Sequence, residues 1–151
     1  MDESYMQLAI EAAREAALHD EVPVGAVIVR GGEVVAVAAN RKERDNCAVS
    51  HAEILALQQA SAACDNWYLD ECEMYVTLEP CAMCTGAILM SRLKAVYYGA
   101  ADPKGGCMGS VYDLVGDKKL NHRMVVRGGI LGEECGRLLT EFFAAKRKKK
   151  N

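Results

Sequence analysis

The sequence predicts a three-layer α/β domain whose sheet is mostly parallel. Two Val-rich runs flank a Gly-Gly pair near the amino end, and strand-like runs then alternate with helical ones. At 151 residues the chain is long enough to bury one core without disulfide staples. One domain over 1–151 is therefore expected, ending in a basic tail.

The elements follow in order. Residues 4–19 carry Met6, Ile10, Ala13, Ala16 and Ala17 on one stripe with Glu11, Arg14 and Glu15 between them, an amphipathic helix. The runs 24–29 and 34–39 are joined by Arg30-Gly31-Gly32-Glu33, which reads as a hairpin turn. A polar stretch over 40–50 leads into a second helix from His51 to about residue 63. Asn66-Trp67-Tyr68-Leu69-Asp70 connects it to a strand at 74–78. Pro80 then opens a third helix reaching about residue 91, since its missing N–H costs nothing there. A short strand is expected at 95–99 and a turn-rich loop at 102–109, the kind of segment that carries function. Residues 124–127 form a further strand. A closing helix begins near residue 133, with Leu138, Leu139, Phe142 and Phe143 on or near its apolar side.

Composition narrows the class. Met1-Asp2-Glu3-Ser4 lacks the basic and apolar regions of a secretory signal, and no apolar run approaches the roughly 18 to 20 residues of a membrane span. A soluble cytoplasmic protein with no membrane partner is expected. Seven cysteines, an odd number with two in a metal-like spacing, point to a reducing compartment. Cys47, Cys64, Cys72 and Cys135 read as inert or half-buried thiols. Net charge is -3, yet five of the 18 basic residues are Lys146, Arg147, Lys148, Lys149 and Lys150. That end is either a solvated helix terminus or a phosphate-contacting arm.

The chemistry lies in two short patterns. In Pro80-Cys81-Ala82-Met83-Cys84 two thiols stand at i and i+3 at a helix start, where free N–H groups and the helix dipole favour thiolate. About thirty residues upstream, His51 and Glu53 begin another helix. One imidazole and two thiolates make three ligands and leave a fourth position for water, the form of an activating rather than a structural zinc. Glu53 lacks the spacing of a ligand and is free to move protons. The competing reading is a four-ligand zinc knuckle completed by Cys107 or Cys135. A bare redox C-x-x-C is a further alternative. Cys107, in the Gly-rich loop, is either pocket wall or ligand.

His51-Ala52-Glu53 followed by Pro80-Cys81-Ala82-Met83-Cys84 resembles the zinc-dependent cytidine and nucleobase deaminase superfamily, with its H-x-E and P-C-x-x-C signature. Within it the chain looks most like bacterial tRNA adenosine deaminases. That likeness extends to Glu21-Val22-Pro23-Val24-Gly25-Ala26-Val27, Asp102-Pro103-Lys104, Asn121-His122-Arg123 and Glu141-Phe142-Phe143. The resemblance implies a cytidine-deaminase-like α/β/α fold with a five-stranded mixed sheet and one Zn2+ per subunit held by His51, Cys81 and Cys84. Glu53 would be the catalytic acid and base. It further implies a homodimer acting on a tRNA anticodon stem-loop and converting the wobble adenosine to inosine.

Carried over by position, Asn40 would hydrogen-bond the target nucleotide and Val24 would wall its pocket. Asp102 and Lys104 would meet the anticodon loop, while Asn121, His122 and Arg123 offer an amide, a ring and a cation to RNA. Phe142 and Phe143 cannot share one helix face, so one packs inward and the other is left near substrate. Ser50 and Cys47-Ala48-Val49 depart from the family's usual approach to the His51 helix. Two other functions stay open: a free-base or nucleoside deaminase acting on guanine or cytosine, and a catalytically silent zinc-binding RNA module.

Overall fold

The computed structural model describes residues 1–120 and 122–150. The chain runs α1 (Glu3–Leu18), β1 (Gly25–Arg30), β2 (Glu33–Ala39), α2 (Ala52–Cys64), β3 (Cys72–Leu78), α3 (Ala82–Ser91), β4 (Ala95–Ala100), β5 (Val125–Arg127) and α4 (Gly132–Lys150). Asp2 caps α1 by accepting from the Ser4 amide. The hairpin turn has Gly31 and Gly32 at φ values of 55° and 82°, a pair of left-handed positions that glycine adopts without strain.

The five strands lie in the order β2-β1-β3-β4-β5. β1 is antiparallel to both β2 and β3, whereas β3–β4 and β4–β5 are parallel. The sheet is thus mixed, and the strand–helix alternation that suggested mostly parallel pairing is right about direction but not about neighbours. β2, β3, β4 and β5 all point one way. The hairpin folds β1 back between β2 and β3, so the crossover through α2 skips one strand.

This arrangement has a consequence for function. The carboxyl ends of β2, β3 and β4 and the amino end of β1 all meet at one edge of the sheet, where crevices for ligands form in α/β folds. The loops leaving that edge are 40–51, 79–81 and 101–124.

Alternate strand residues face opposite layers. Ala26, Ile28, Met74, Val76 and Val96 pack with Ala52, Ala56, Leu57, Ala60 and Ile88 beneath α2 and α3. Val27, Val29, Tyr75, Ala95 and Tyr97 pack with Met6, Ala9, Ile10 and Cys135 beneath α1 and α4. Three layers result.

α4 continues through the basic stretch, so this end of the chain is a helix terminus. Lys146 Nζ lies 3.4 Å from Asp20 Oδ1 and 5.3 Å from the centre of the Phe142 ring, which ties this end of α4 to the turn after α1. Among the described residues no helix is long and apolar enough to cross a membrane.

Candidate active site

Two helices start at the same point of the sheet edge. His51 is the N-cap of α2 and Cys81 the N-cap of α3, and neither side chain caps its own helix. Pro80 therefore sits just before the cap rather than in the first helical turn. The His51 ring and the Cys81 thiol approach each other and Cys84.

The Nδ1 of His51 is 3.5 Å from Cys84 Sγ and 3.8 Å from Cys81 Sγ. All three donor atoms lie within 4.8 Å of one another, and among the described residues they form the one group of three or more His, Cys, Asp and Glu side chains able to hold a metal ion. Donors around a tetrahedral zinc, with bonds near 2.3 Å to sulfur and 2.0–2.1 Å to nitrogen, stand about 3.6 Å apart. The triangle fits a metal on donor type and spacing alike. A hydrogen bond from Cys84 lowers the Cys81 thiol to about 5, the direction a metal-binding sulfur needs.

Glu53 stands beside this triangle and is 4 % exposed. Burial pushes its carboxyl above the ordinary value, and the neighbouring Cys81 charge adds to the effect. A proton is easily held there.

Above the corner opens a cavity of about 220 Å³. Val22, Val24 and Leu78 give it apolar walls, while Asn40, Lys42, Glu53 and Asp102 supply polar groups. The volume is below the ~300–1,000 Å³ of drug-sized sites and suits a single flat base. Asn40 donates from Nδ2 to Val22 O at 3.2 Å and accepts from the Lys42 amide at 3.0 Å. One amide hydrogen and one lone pair remain.

The structure brings His51, Glu53, Cys81, Val24, Asn40 and Asp102 together around this cavity, with Cys84 behind it. Asp102 folds as an Asx-turn, its Oδ1 accepting from the amides of Lys104 and Gly105. Lys104 is exposed beside it. Cys107 is buried with its thiol toward Gly105 O at 3.6 Å, outside the metal group.

Other expected residues lie apart. His122 Nε2 is 2.7 Å from Leu93 O, and Val125 bonds Lys94 O, so this segment sits at the amino end of β4. That is one strand length, on the order of 15 Å, from the cavity edge. Arg123 instead lines a shallow depression with Tyr98, Met108 and Gly128. Asn121 lies outside the described residues. Phe142 is half-buried and Phe143 is 43 % exposed, their rings edge to face with centroids 5.4 Å apart.

Two residues escaped sequence reasoning. Glu21 is fully buried and accepts from the amides of Glu43 and Arg44 at 2.9 and 2.8 Å, with Arg44 Nε 3.5 Å away. Glu79 is 2 % exposed and accepts from Asp102, Met108 and Ser110. Burial alone would raise the Glu79 carboxyl, yet the hydrogen bonds, led by Ser110, hold it below the ordinary value. The available signal was an acidic residue set against an apolar run, in Val76-Thr77-Leu78-Glu79 and Glu21-Val22-Pro23-Val24.

A His/Cys/Cys corner with a buried carboxylate at the edge of this sheet is the mark of the cytidine-deaminase-like class. The family described as MafB19-like deaminase matches residues 1–147. A tRNA-specific adenosine deaminase of Bacillus subtilis (strain 168) is 46% identical over 149 residues, spanning 99% of this chain and 92% of that protein. Among solved structures, one from work on A-to-I editing by tRNA:A34 deaminases at the wobble position superposes with a TM-score of 0.88 at 39% identity, covering 91% of this chain and 100% of that one. Guanine deaminase from Nitrosomonas europaea shares the fold, with a TM-score of 0.77 at 24% identity over 95% of this chain and 85% of that one. The chain belongs to the MafB19-like deaminase family and, within it, to the tRNA-specific adenosine deaminases.

Proposed function

We propose that this protein hydrolyses adenosine to inosine at the wobble position of a tRNA anticodon. The observation that carries this reading is Glu53, a buried carboxylate beside a His/Cys/Cys donor triangle at the floor of a base-sized cavity, in a chain that matches tRNA-specific adenosine deaminases over nearly its whole length.

His51, Cys81 and Cys84 would hold one zinc ion per subunit, whose Lewis acidity makes water a nucleophile near neutral pH. Glu53 accepts the proton that the attacking water gives up and returns it to ring nitrogen N1 of the adenine. It then carries the second proton to the departing amino nitrogen, which leaves as ammonia, and the water oxygen becomes the 6-oxo group of inosine. Water enters and ammonia departs, so one carboxylate serves as base and acid in a single cycle. The apolar walls at Val22 and Val24 exclude bulk water from the ring, and the remaining hydrogen and lone pair of Asn40 suit a nucleotide edge.

Deamination requires the base to leave the stack, which costs least in a single-stranded loop. Asp102 and Lys104 at the cavity mouth are placed to meet the nucleotides beside the target. His122, Arg123, Phe142 and Phe143 extend the contact along the RNA beyond the cavity, since an anticodon stem-loop is longer than a strand, and Asn121 is assigned to the RNA on the family resemblance alone. We take the chain to be a single catalytic domain that works as a homodimer in the cytoplasm. The homodimer rests on the family resemblance, and seven free thiols support a reducing compartment.

The test is Glu53→Ala, assayed for bound zinc and for inosine in an anticodon stem-loop RNA. Zinc is expected at the wild-type level with inosine formation abolished. An active variant contradicts the assignment.

A further inference from the structure

Glu79 occupies an unusual position, two residues before Cys81 and immediately after β3. Its Oε1 accepts from the Asp102 amide at 3.0 Å and from the Ser110 hydroxyl. Its Oε2 accepts from the amides of Met108 at 3.0 Å and Ser110 at 3.1 Å. A carboxylate has about four acceptor positions and no donor, so all its capacity is spent on one loop and none is left for substrate. Two backbone struts run alongside, from Cys107 N to Pro80 O and from Glu79 N to Ala100 O, each 2.9 Å. Gly106 closes against the carboxylate, and a Cβ there would overlap it.

The segment held this way links β4 to β5 without a helix, and such a long loop keeps one shape only where something fixes it. It carries Asp102, whose Oδ1 is committed to its own turn while Oδ2 stays free to accept. We propose that Glu79 is a positioning residue for the substrate: it clamps the 102–110 loop to the turn that bears Cys81 and thereby sets how far Asp102 stands from the metal corner. Glu79 acts through the loop and takes no part in proton transfer. This deepens the wobble-adenosine reading and rests on it for the identity of the substrate.

Two variants attack the clamp from opposite sides. Glu79→Gln turns one acceptor into a donor facing N–H and O–H groups. Gly106→Ala leaves the carboxylate intact and displaces it, at a backbone position outside the left-handed region. Each holoprotein is assayed for bound zinc, for amide hydrogen exchange, and for kcat and KM on a wobble-adenosine stem-loop. Expected are wild-type zinc and exchange at Asp102, Met108 and Ser110 faster by about 10- to 100-fold with α3 unchanged. KM should rise on the order of 10-fold while kcat stays within about 3-fold. A role confined to stability would lower kcat in step with folded, zinc-loaded protein and leave KM alone, and that result overturns the proposal. So does wild-type exchange across the loop. If the wild-type protein converts no RNA, the wobble-adenosine reading fails by itself, and the exchange rates still decide the clamp.

Discussion

The metal corner takes its donors from two helix starts, while two loops at the cavity are each held by a buried carboxylate, Glu21 for the 43–44 turn and Glu79, itself part of the cavity lining, for the 102–110 loop. His51, Cys81 and Cys84 are positioned by regular structure, and removing any one removes a ligand. Glu21 and Glu79 touch nothing that reacts, yet each gathers backbone N–H groups from a loop more than twenty residues away. Chemistry here is carried by distinctive side chains, whereas the loop geometry is carried by contacts from carboxylates to backbone amides. The division predicts that the two regions fail differently.

The largest effect falls on the corner. His51→Ala should abolish stoichiometric zinc and lower deamination by at least about 10³-fold, measured by metal analysis and inosine formation. Glu21→Ala attacks the opposite wall and strands two loop amides in a buried site. A loss of about 2–4 kcal/mol is expected in urea unfolding, with zinc binding intact. Loss of zinc in this variant would break the separation between corner and wall.

Acid acts on one of the two buried carboxylates that hold these loops. Because the Glu79 carboxyl is held below its ordinary 4.5, it contributes stability that is fully present above that value. The contribution disappears as pH falls through the lower, folded value. The stability gap between wild type and Glu79→Gln should therefore be constant above about pH 5 and close in more acid solution. A gap that widens on acidification would contradict the sign.

Smaller effects lie farther out. Replacing Arg147, Lys148 and Lys149 by Ala should raise KM for the stem-loop a few-fold and flatten its dependence on salt, each lost phosphate contact reducing the log–log slope by about 0.7 for a single strand. Cys107→Ser should leave zinc content and turnover within about 2-fold of wild type, since its thiol faces Gly105.

How much was legible follows the same line. Strands and helices were readable because their apolar periods of 2 and 3.6 are local, and each boundary read from the sequence lies within two residues of its expected place, the carboxyl end of α4 having been given none. His51, Glu53, Cys81 and Cys84 were readable because each half of the site, His51-Ala52-Glu53 and Cys81-Ala82-Met83-Cys84, is a short pattern of side chains with distinctive chemistry, although thirty residues separate the halves. The insertion of β1 between β2 and β3 was not, because pairing partners depend on the path of the chain and leave no periodic trace. Glu21 and Glu79 were hidden for a related reason: their partners are backbone amides, which every residue but proline possesses. For the basic segment the sequence left a helix terminus and a phosphate-contacting arm both open; α4 runs through it, as Lys and Arg are good helix formers and cations at a helix carboxyl end are favoured by the dipole.

The cavity above this metal corner works on adenosine within an anticodon loop. Purified zinc protein should be incubated with a stem-loop RNA bearing adenosine at the wobble position, with free adenine, guanine and cytosine as parallel substrates. Inosine in the RNA with no release of ammonia from the free bases is the predicted result. Turnover of a free base, with the RNA left unchanged, would contradict it.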